Sequence, residues 1–345
     1  MRIAIIGAGW FGCHIATSLL RDGHDITVFE RNSDIFLGAS GNNQNRLHLG
    51  FHYPRSWQTR AEIINNHDRF LSEYPTREIE NNFFAISTES SIDFDSYIAI
   101  MESQGILNED VAKYLHAPKY GIQNVERGIV IKTKERLINT ESAKRRFLYE
   151  LKNKIQFEVK VKVCGNPQMG IIQHGSWLEN HEVFDAVVDC TGGELDPNEK
   201  IFFEPAVMAE YEGPQEHFAL TVMDGPFPCL YPTCEPGVWR VSHVAHTARG
   251  CFDTYAKAER VLQNLNVEQI TNDMSEAMSH YYPDFLKIFK PKYSLIKAVR
   301  TKLKNNNASR ECYIREDGRV CRVYSGKICS VFIAESRVKK WLQTL

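Results

Sequence analysis

The sequence predicts an α/β fold: a nucleotide-binding domain on a parallel sheet, assembled from separated stretches of chain, with a second α+β domain built on an antiparallel sheet. Three observations carry this. Gly7-Ala8-Gly9-Trp10-Phe11-Gly12 lies between an apolar run and a helical pattern, with Glu30 beyond it. A second apolar run, Asp185 to Cys190, stops at Thr191-Gly192-Gly193. Between Phe202 and His246, short strand-like runs recur with turn signals between them.

Arg2 to Ile6 reads as a buried strand and Cys13 to Leu20 as a helix, so the glycines occupy a tight strand-to-helix turn. Gly7 permits the sharp turn, Gly9 lets backbone approach a pyrophosphate, and Gly12 lets helix pack on strand. Trp10 and Phe11 open the helix, whose unpaired N–H groups and dipole favour an anion. Ile26 to Phe29 is the next strand; Glu30, at its end, is placed to accept from ribose hydroxyls, with Arg31 beside it. This is a Rossmann-type dinucleotide site. FAD and NAD share the ADP half, so these residues alone do not choose between them.

The stretch Gly38 to Pro54 is rich in small and amide residues and includes Ser40, Asn45, Arg46 and Leu47. Backbone lying against a diphosphate and a flat ring needs such residues. Together with the glycine motif, this resembles the FAD-dependent oxidoreductases of the D-amino-acid oxidase and glycine oxidase group. A nearer likeness, Asn45-Arg46-Leu47-His48-Leu49-Gly50-Phe51-His52-Tyr53, is to the H-x-G-x-x-Y segment of L-2-hydroxyglutarate oxidases. The stretch also resembles flavin oxidoreductases of bacterial surface-sugar gene sets. The resemblance implies a glutathione-reductase-like FAD-binding domain from residues 1–80, 133–200 and 295–345, and a substrate domain from 81–132 and 201–294.

Ser56 to Tyr74 reads as an amphipathic helix capped by Ser56, with Trp57, Ala61, Ile64 and Leu71 as its buried stripe. A helix capped by Asn139 or Thr140 follows Ile138, and Phe157 to Val163 alternates as a strand. The resemblance implies that Val161 offers its backbone to adenine. Strands are expected at Met169 to Trp177 and Glu182 to Phe184. The run ending in Thr191-Gly192-Gly193 leaves room for ribose and diphosphate at its carboxyl end and resembles the second nucleotide-contact motif of glutathione-reductase-like flavoproteins, which favours FAD over NAD. Two helices follow the antiparallel strands, at Tyr255 to Leu262 and around Val267 to Met278. Lys287 to Lys304 is strongly basic but lacks interleaved aromatics, so it reads as a solvated cationic face. Finally, a strand from Arg319 to Tyr324 and a turn lead into a helix from Ile328 to Leu342. In the family resembled, Gly326, Lys327 and Ile328 face the pyrimidine end of the flavin ring.

A chain of 345 residues, 43% hydrophobic and 24% charged with a net charge of -2, gives no reason to expect nucleic acid or a membrane surface as partner. The N-terminus shows no secretory pattern and the nine cysteines form no C-x-x-C pair, so a cytoplasmic protein without a metal site is expected.

Hydride removal from a C–H bond needs little acid-base machinery when a flavin carries the chemistry. An amine can react in its neutral form; an alcohol needs a base, and His48 is the candidate. Arg46, Arg240 and Arg300 are candidates to grip a carboxylate, with Arg300 at the place where the oxidase family often puts one beside flavin and substrate. Tyr53 and Tyr231 are candidates to close the pocket; His52, His243 and His246 lie near it. The expectation is an FAD-dependent oxidase or dehydrogenase acting on an amino acid, hydroxy acid or sugar derivative. The competing readings are an NAD(P)-dependent Rossmann dehydrogenase and an FAD-binding protein without turnover.

Overall fold

The computed structural model describes the chain except for residues 109, 164–167, 174–175, 178–181, 197, 199 and 305–309. The glycine-rich turn is where the strand Arg2–Ile6 hands over to the helix Trp10–Arg21. Gly7 adopts φ +94°, a left-handed conformation that side chains disfavour, and a Cβ on Gly12 would lie 1.9 Å from the Gly7 carbonyl oxygen. Helix and strand pack this closely only because position 12 lacks a side chain.

Arg2–Ile6 pairs in parallel with Asp25–Phe29 on one side and Ala186–Asp189 on the other. Val320–Ser325 and Ile155–Gln156 extend the sheet in parallel, and Tyr313–Asp317 closes one edge antiparallel, giving six strands. Segments more than three hundred residues apart thus meet at their carboxyl ends, where ligands of parallel sheets bind. The strands are continuous apolar runs because both faces are covered. On one face Trp10 stacks on Phe36 at 5.0 Å and meets Phe70, Tyr74 and Phe147. Burying each such ring contributes about 1.5–3 kcal/mol.

The second sheet has eight strands and is mixed. Its long members, Ile201–Glu212 and Lys290–Leu303, pair antiparallel, while Asn82–Ser87 runs parallel to Ala219–Met223. The expected antiparallel sheet therefore contains one parallel pair. Because Lys290–Leu303 belongs here, the chain re-enters the nucleotide-binding sheet only at Tyr313, later than residue 295. Alternation along Ile201–Glu212 sends Phe203, Val207, Ala209 and Tyr211 toward the helix Val267–Tyr281, and Glu204, Ala206 and Met208 toward a cavity between the sheets.

Ser56 caps the helix Trp57–Glu73 by accepting from the Thr59 N–H, and Asn139 caps Thr140–Glu150. Trp57 is nevertheless 60% exposed and Ile64 39%. The inward face is set by Thr59, Ile63, His67 and Phe70, one helical stripe away. The terminal helix begins as a tight turn at Ile328–Ser330 before Val331–Leu342. Val159–Val163 belongs to a separate sheet with Gln168–Gln173; part of the strand expected at Met169 to Trp177 lies outside the described residues. No helix among the described residues is long and apolar enough to cross a membrane.

Candidate active site

A cavity of about 1050 Å³ runs from the carboxyl ends of the parallel strands to the inner face of the eight-stranded sheet. Ligand pockets commonly hold roughly 300–1,000 Å³, so this one has room for a dinucleotide and a small substrate. At one end lie Gly7, Gly9, Trp10, Phe11, Glu30, Arg31, Ser40 and Val161. Gly9 caps the first helix without a side chain of its own, and the Trp10 N–H donates to Ser40 Oγ at 2.8 Å. The Trp10 ring itself is buried in the core, so only its backbone faces the cavity. Glu30 accepts from the Ala8 N–H at 2.7 Å and from Asn32, which fixes its carboxylate at the cavity edge. Arg31 pairs with Glu194, donates to the Tyr255 hydroxyl at 2.8 Å and lies over that ring, bridging the two sheets' connections.

Thr191 and Gly192 line the middle. Thr191 donates through both N–H and Oγ1 to Asp189, while Thr301 Oγ1 donates to the Gly192 carbonyl. Gly193 lies behind the lining, against Ile201 and Tyr324.

The far end is built from Asn45, Arg46, His48, His52, Tyr53, Gly326, Lys327 and Ile328. Three rings cluster: His48 lies 5.6 Å from His52 and 5.5 Å from Tyr53, with His52 5.2 Å from Tyr53. Lys327 Nζ sits 4.3 Å over the Tyr53 ring. Burial lowers the Lys327 ammonium to about 8. Burial likewise lowers His48 to about 4, against the opposing pull of Glu135, and pushes His52 down as well. Both imidazoles are neutral at physiological pH.

Glu135 was invisible to sequence reasoning. It stands wholly buried between Thr133 and Arg136, at the turn joining two strands. It accepts from Arg46 Nη2 at 2.8 Å and from the Leu49 N–H at 2.9 Å, with His48 Nδ1 3.5 Å away. Burial alone would raise its carboxyl, but Arg46 and His48 bring it down to about 2. Arg46 is in turn packed 4.3 Å from the Tyr231 ring and bonded to Cys229 Sγ at 3.1 Å. Arg46 is therefore committed to Glu135, its Nε alone lacking a partner, and is unsuited to grip a substrate carboxylate.

Four other expectations are corrected. The Leu47 side chain is fully buried in the core beneath the sheet and does not line the cavity. Arg240, also off the lining, binds Glu210 and donates to the Asn43 carbonyl at 2.6 Å, so it braces the loop. Tyr231 lies under Arg46 and closes no pocket. His246 is outside the lining too, 3.9 Å from Asp273, whereas His243 lines it.

Arg300 stands where the second sheet forms the wall, sharing Glu204 with Lys302, whose Nζ donates at 2.5 Å. Burial would raise Glu204, but the two cations hold it below the usual carboxylate range. Arg300 Nε, buried, has no hydrogen-bond partner.

These residues fit a flavin dinucleotide. The glycine turn offers backbone N–H groups and a helix N-terminus that would suit a diphosphate, and Glu30 at the cavity edge is an acceptor that would suit ribose hydroxyls. At the other end Gln44 Nε2, Arg46 Nε and His52 Nδ1 are buried without partners around a cavity wide enough for a polar ring system. No cluster that could hold a metal occurs among the described residues.

Comparison with known proteins agrees. The family model described as FAD dependent oxidoreductase (DAO) matches residues 2–294. The FAD-dependent monooxygenase FPY4 of Fusarium mangiferae is 36% identical over 97% of this chain and 89% of its own length. The FAD-dependent monooxygenase kojA of Aspergillus flavus is 28% identical over 98% and 85%. Among solved structures, glycine oxidase from Geobacillus kaustophilus superposes with a TM-score of 0.71 at 10% identity, covering 99% of this chain and 95% of that one. L-alpha-glycerophosphate oxidase from Mycoplasma pneumoniae gives 0.72 at 12% identity, over 99% and 94%. The two structural likenesses speak to the fold. FAD, not NAD(P), is the cofactor, and the readings as a nicotinamide-dependent dehydrogenase or an inert binding protein fall away. The chain belongs to the DAO family of FAD-dependent oxidoreductases.

Proposed function

We propose that this enzyme takes a hydride from the amine- or alcohol-bearing carbon of a small polar molecule: an amino acid, hydroxy acid or sugar derivative. Bound FAD supplies the two-electron acceptor. The residues named above for its two ends would hold it: Gly7, Gly9, Phe11, Glu30, Arg31 and Ser40 at the nucleotide, and Asn45, His52, Gly326, Lys327 and Ile328 at the ring. The observation that carries the proposal is the neutral His48 imidazole backed by buried Glu135.

With Glu135 Oε2 facing Nδ1, the favoured tautomer carries its proton on Nδ1 and leaves Nε2 as the acceptor. In an alcohol substrate Nε2 takes the hydroxyl proton, and Glu135 stabilises the imidazolium that forms. Arg46 holds Glu135 in place and ionised. Arg300, on the cavity wall, binds a carboxylate or other anionic group of the substrate, and Tyr53 and Lys327 line the far end. The apolar wall of Met208, Met223 and Phe227 excludes water.

The test is anaerobic mixing of the yellow enzyme with amino acids, hydroxy acids and sugar derivatives. Bleaching of the flavin by at least one such compound alone supports the reading. The fungal relatives are named as monooxygenases, which raises a second reading, insertion of an oxygen atom. That chemistry uses an external reductant, so it predicts bleaching by a nicotinamide and none by the substrate.

A further inference from the structure

We propose that His243 is a fixed hydrogen-bond donor in the substrate wall, presenting Nε2–H to an acceptor oxygen of the substrate, a carboxylate or carbonyl. The substrate-facing role rests on the functional reading above; the tautomer does not.

The strand Val238–His243 ends at this histidine, and the chain turns at once into Val244–Thr247. Its ring folds back on that turn: Nδ1 accepts from the N–H of Ala245 at 3.2 Å and of His246 at 3.4 Å. A nitrogen that accepts from two backbone donors carries no proton, so in the neutral ring the proton is on Nε2. His243 also anchors its own main chain, its N–H donating to Thr247 Oγ1 at 2.9 Å. The ring is thus fixed in orientation as well as tautomer.

Neutrality follows from surroundings. The residue is 8% exposed, and its imidazole is pushed down to about 4 by burial first and His246 second. His246 lies 4.4 Å away ring to ring, Asp273 sits beyond it on the helix Val267–Tyr281, and Arg249 donates to the His246 carbonyl. None of these offers a carboxylate to His243 itself.

His243 lines the cavity, and its Nε2 has no hydrogen bond to any described residue. His243 ends a strand of the eight-stranded sheet that forms the cavity wall. Pro228, the register partner of His243, precedes Cys229, which contacts Arg46 and so adjoins the Glu135–His48 pair. The cavity therefore carries neutral imidazoles of opposite character. His48 has its Nε2 available to accept, and His243 has its Nε2 committed to donate. An acceptor oxygen satisfies His243; a substrate lacking one there leaves a buried donor unpaired.

The test uses flavin-loaded enzyme labelled with 15N in histidine. Long-range 1H–15N spectra from about pH 5 to about pH 9 are expected to show His243 neutral throughout, with the proton on Nε2. A proton on Nδ1, or titration near the ordinary value of about 6.5, overturns the proposal. In parallel, the compound that bleaches the flavin fastest is compared across variants. H243F is expected to raise its KM by about 10- to 100-fold at every pH, with H243Q, which keeps a donor, recovering part of the loss. An unchanged KM in H243F, with flavin content intact, also overturns it. If no compound bleaches the flavin, the functional reading fails while the spectra still decide the tautomer.

Discussion

Replacing Glu135 by glutamine isolates the charge on which the far end of the cavity depends. Arg46 and Glu135 have side chains 2% and 0% exposed, with a 2.8 Å contact. At a charge separation of about 4 Å and an effective dielectric of about 20, their attraction is about 4 kcal/mol. E135Q removes it and leaves a guanidinium in the core, where losing one partner of a buried pair costs about 3–5 kcal/mol. Two features pull toward the lower value: the Tyr231 ring at 4.3 Å, worth about 0.5–2 kcal/mol as a cation–π contact, and the amide oxygen, which still accepts one hydrogen bond. Urea unfolding of the flavin-loaded protein should therefore show E135Q destabilised by about 3 kcal/mol. R46M/E135Q should recover most of this, because no lone charge remains. A loss under about 1 kcal/mol, or a double variant no better than the single, would mean water reaches the pair and would refute the reasoning.

Other expectations follow from the same geometry. G12A places a methyl 1.9 Å from the Gly7 carbonyl, so purified G12A should carry little or no flavin by absorbance. Arg300→Ala should raise KM for an anionic substrate by about 10- to 100-fold while sparing an uncharged analogue, read from steady-state kinetics. Because His48 is lowered to about 4, kcat/KM should show no acid limb from it between about pH 5 and about pH 8; a limb near about 6.5 would contradict this. Lys327 titrates near 8 when folded against 10.5 for the free side chain. The folded chain then binds fewer protons between those values, so the cost of the buried ammonium is full below about pH 8 and is relieved as pH rises toward about 10.5. In flavin-stripped protein, K327M should remove that slope, with a gain near pH 7 of about 3 kcal/mol measured by urea unfolding.

What the sequence made legible was local. Gly7 to Gly12 and Glu30 announce themselves because turn, helix start and acid lie within one βαβ unit, and Thr191 ends a strand whose apolar character is continuous. Glu135 was not legible. Lys134-Glu135-Arg136 reads as a solvated turn, and only pairing with Arg46, 89 residues away, turns its middle residue into the buried anion of the site. Glu204 is similar, a carboxylate whose partners Arg300 and Lys302 arrive from another strand. Arg240 and Tyr231 differ from their expected roles for the mirror reason. They are register partners on neighbouring strands, and tertiary pairing with Glu210 and Arg46 had already claimed them. Trp57 shows the same limit in a helix, where an apolar residue lies beside the buried stripe and not in it.

The most direct measurement is the rate of anaerobic flavin bleaching by a substrate carrying deuterium at the carbon to be oxidised. The account predicts bleaching by the substrate alone, slowed several-fold by the isotope. Bleaching that requires a nicotinamide, or a rate indifferent to deuterium in single-turnover mixing, would contradict hydride removal at that carbon.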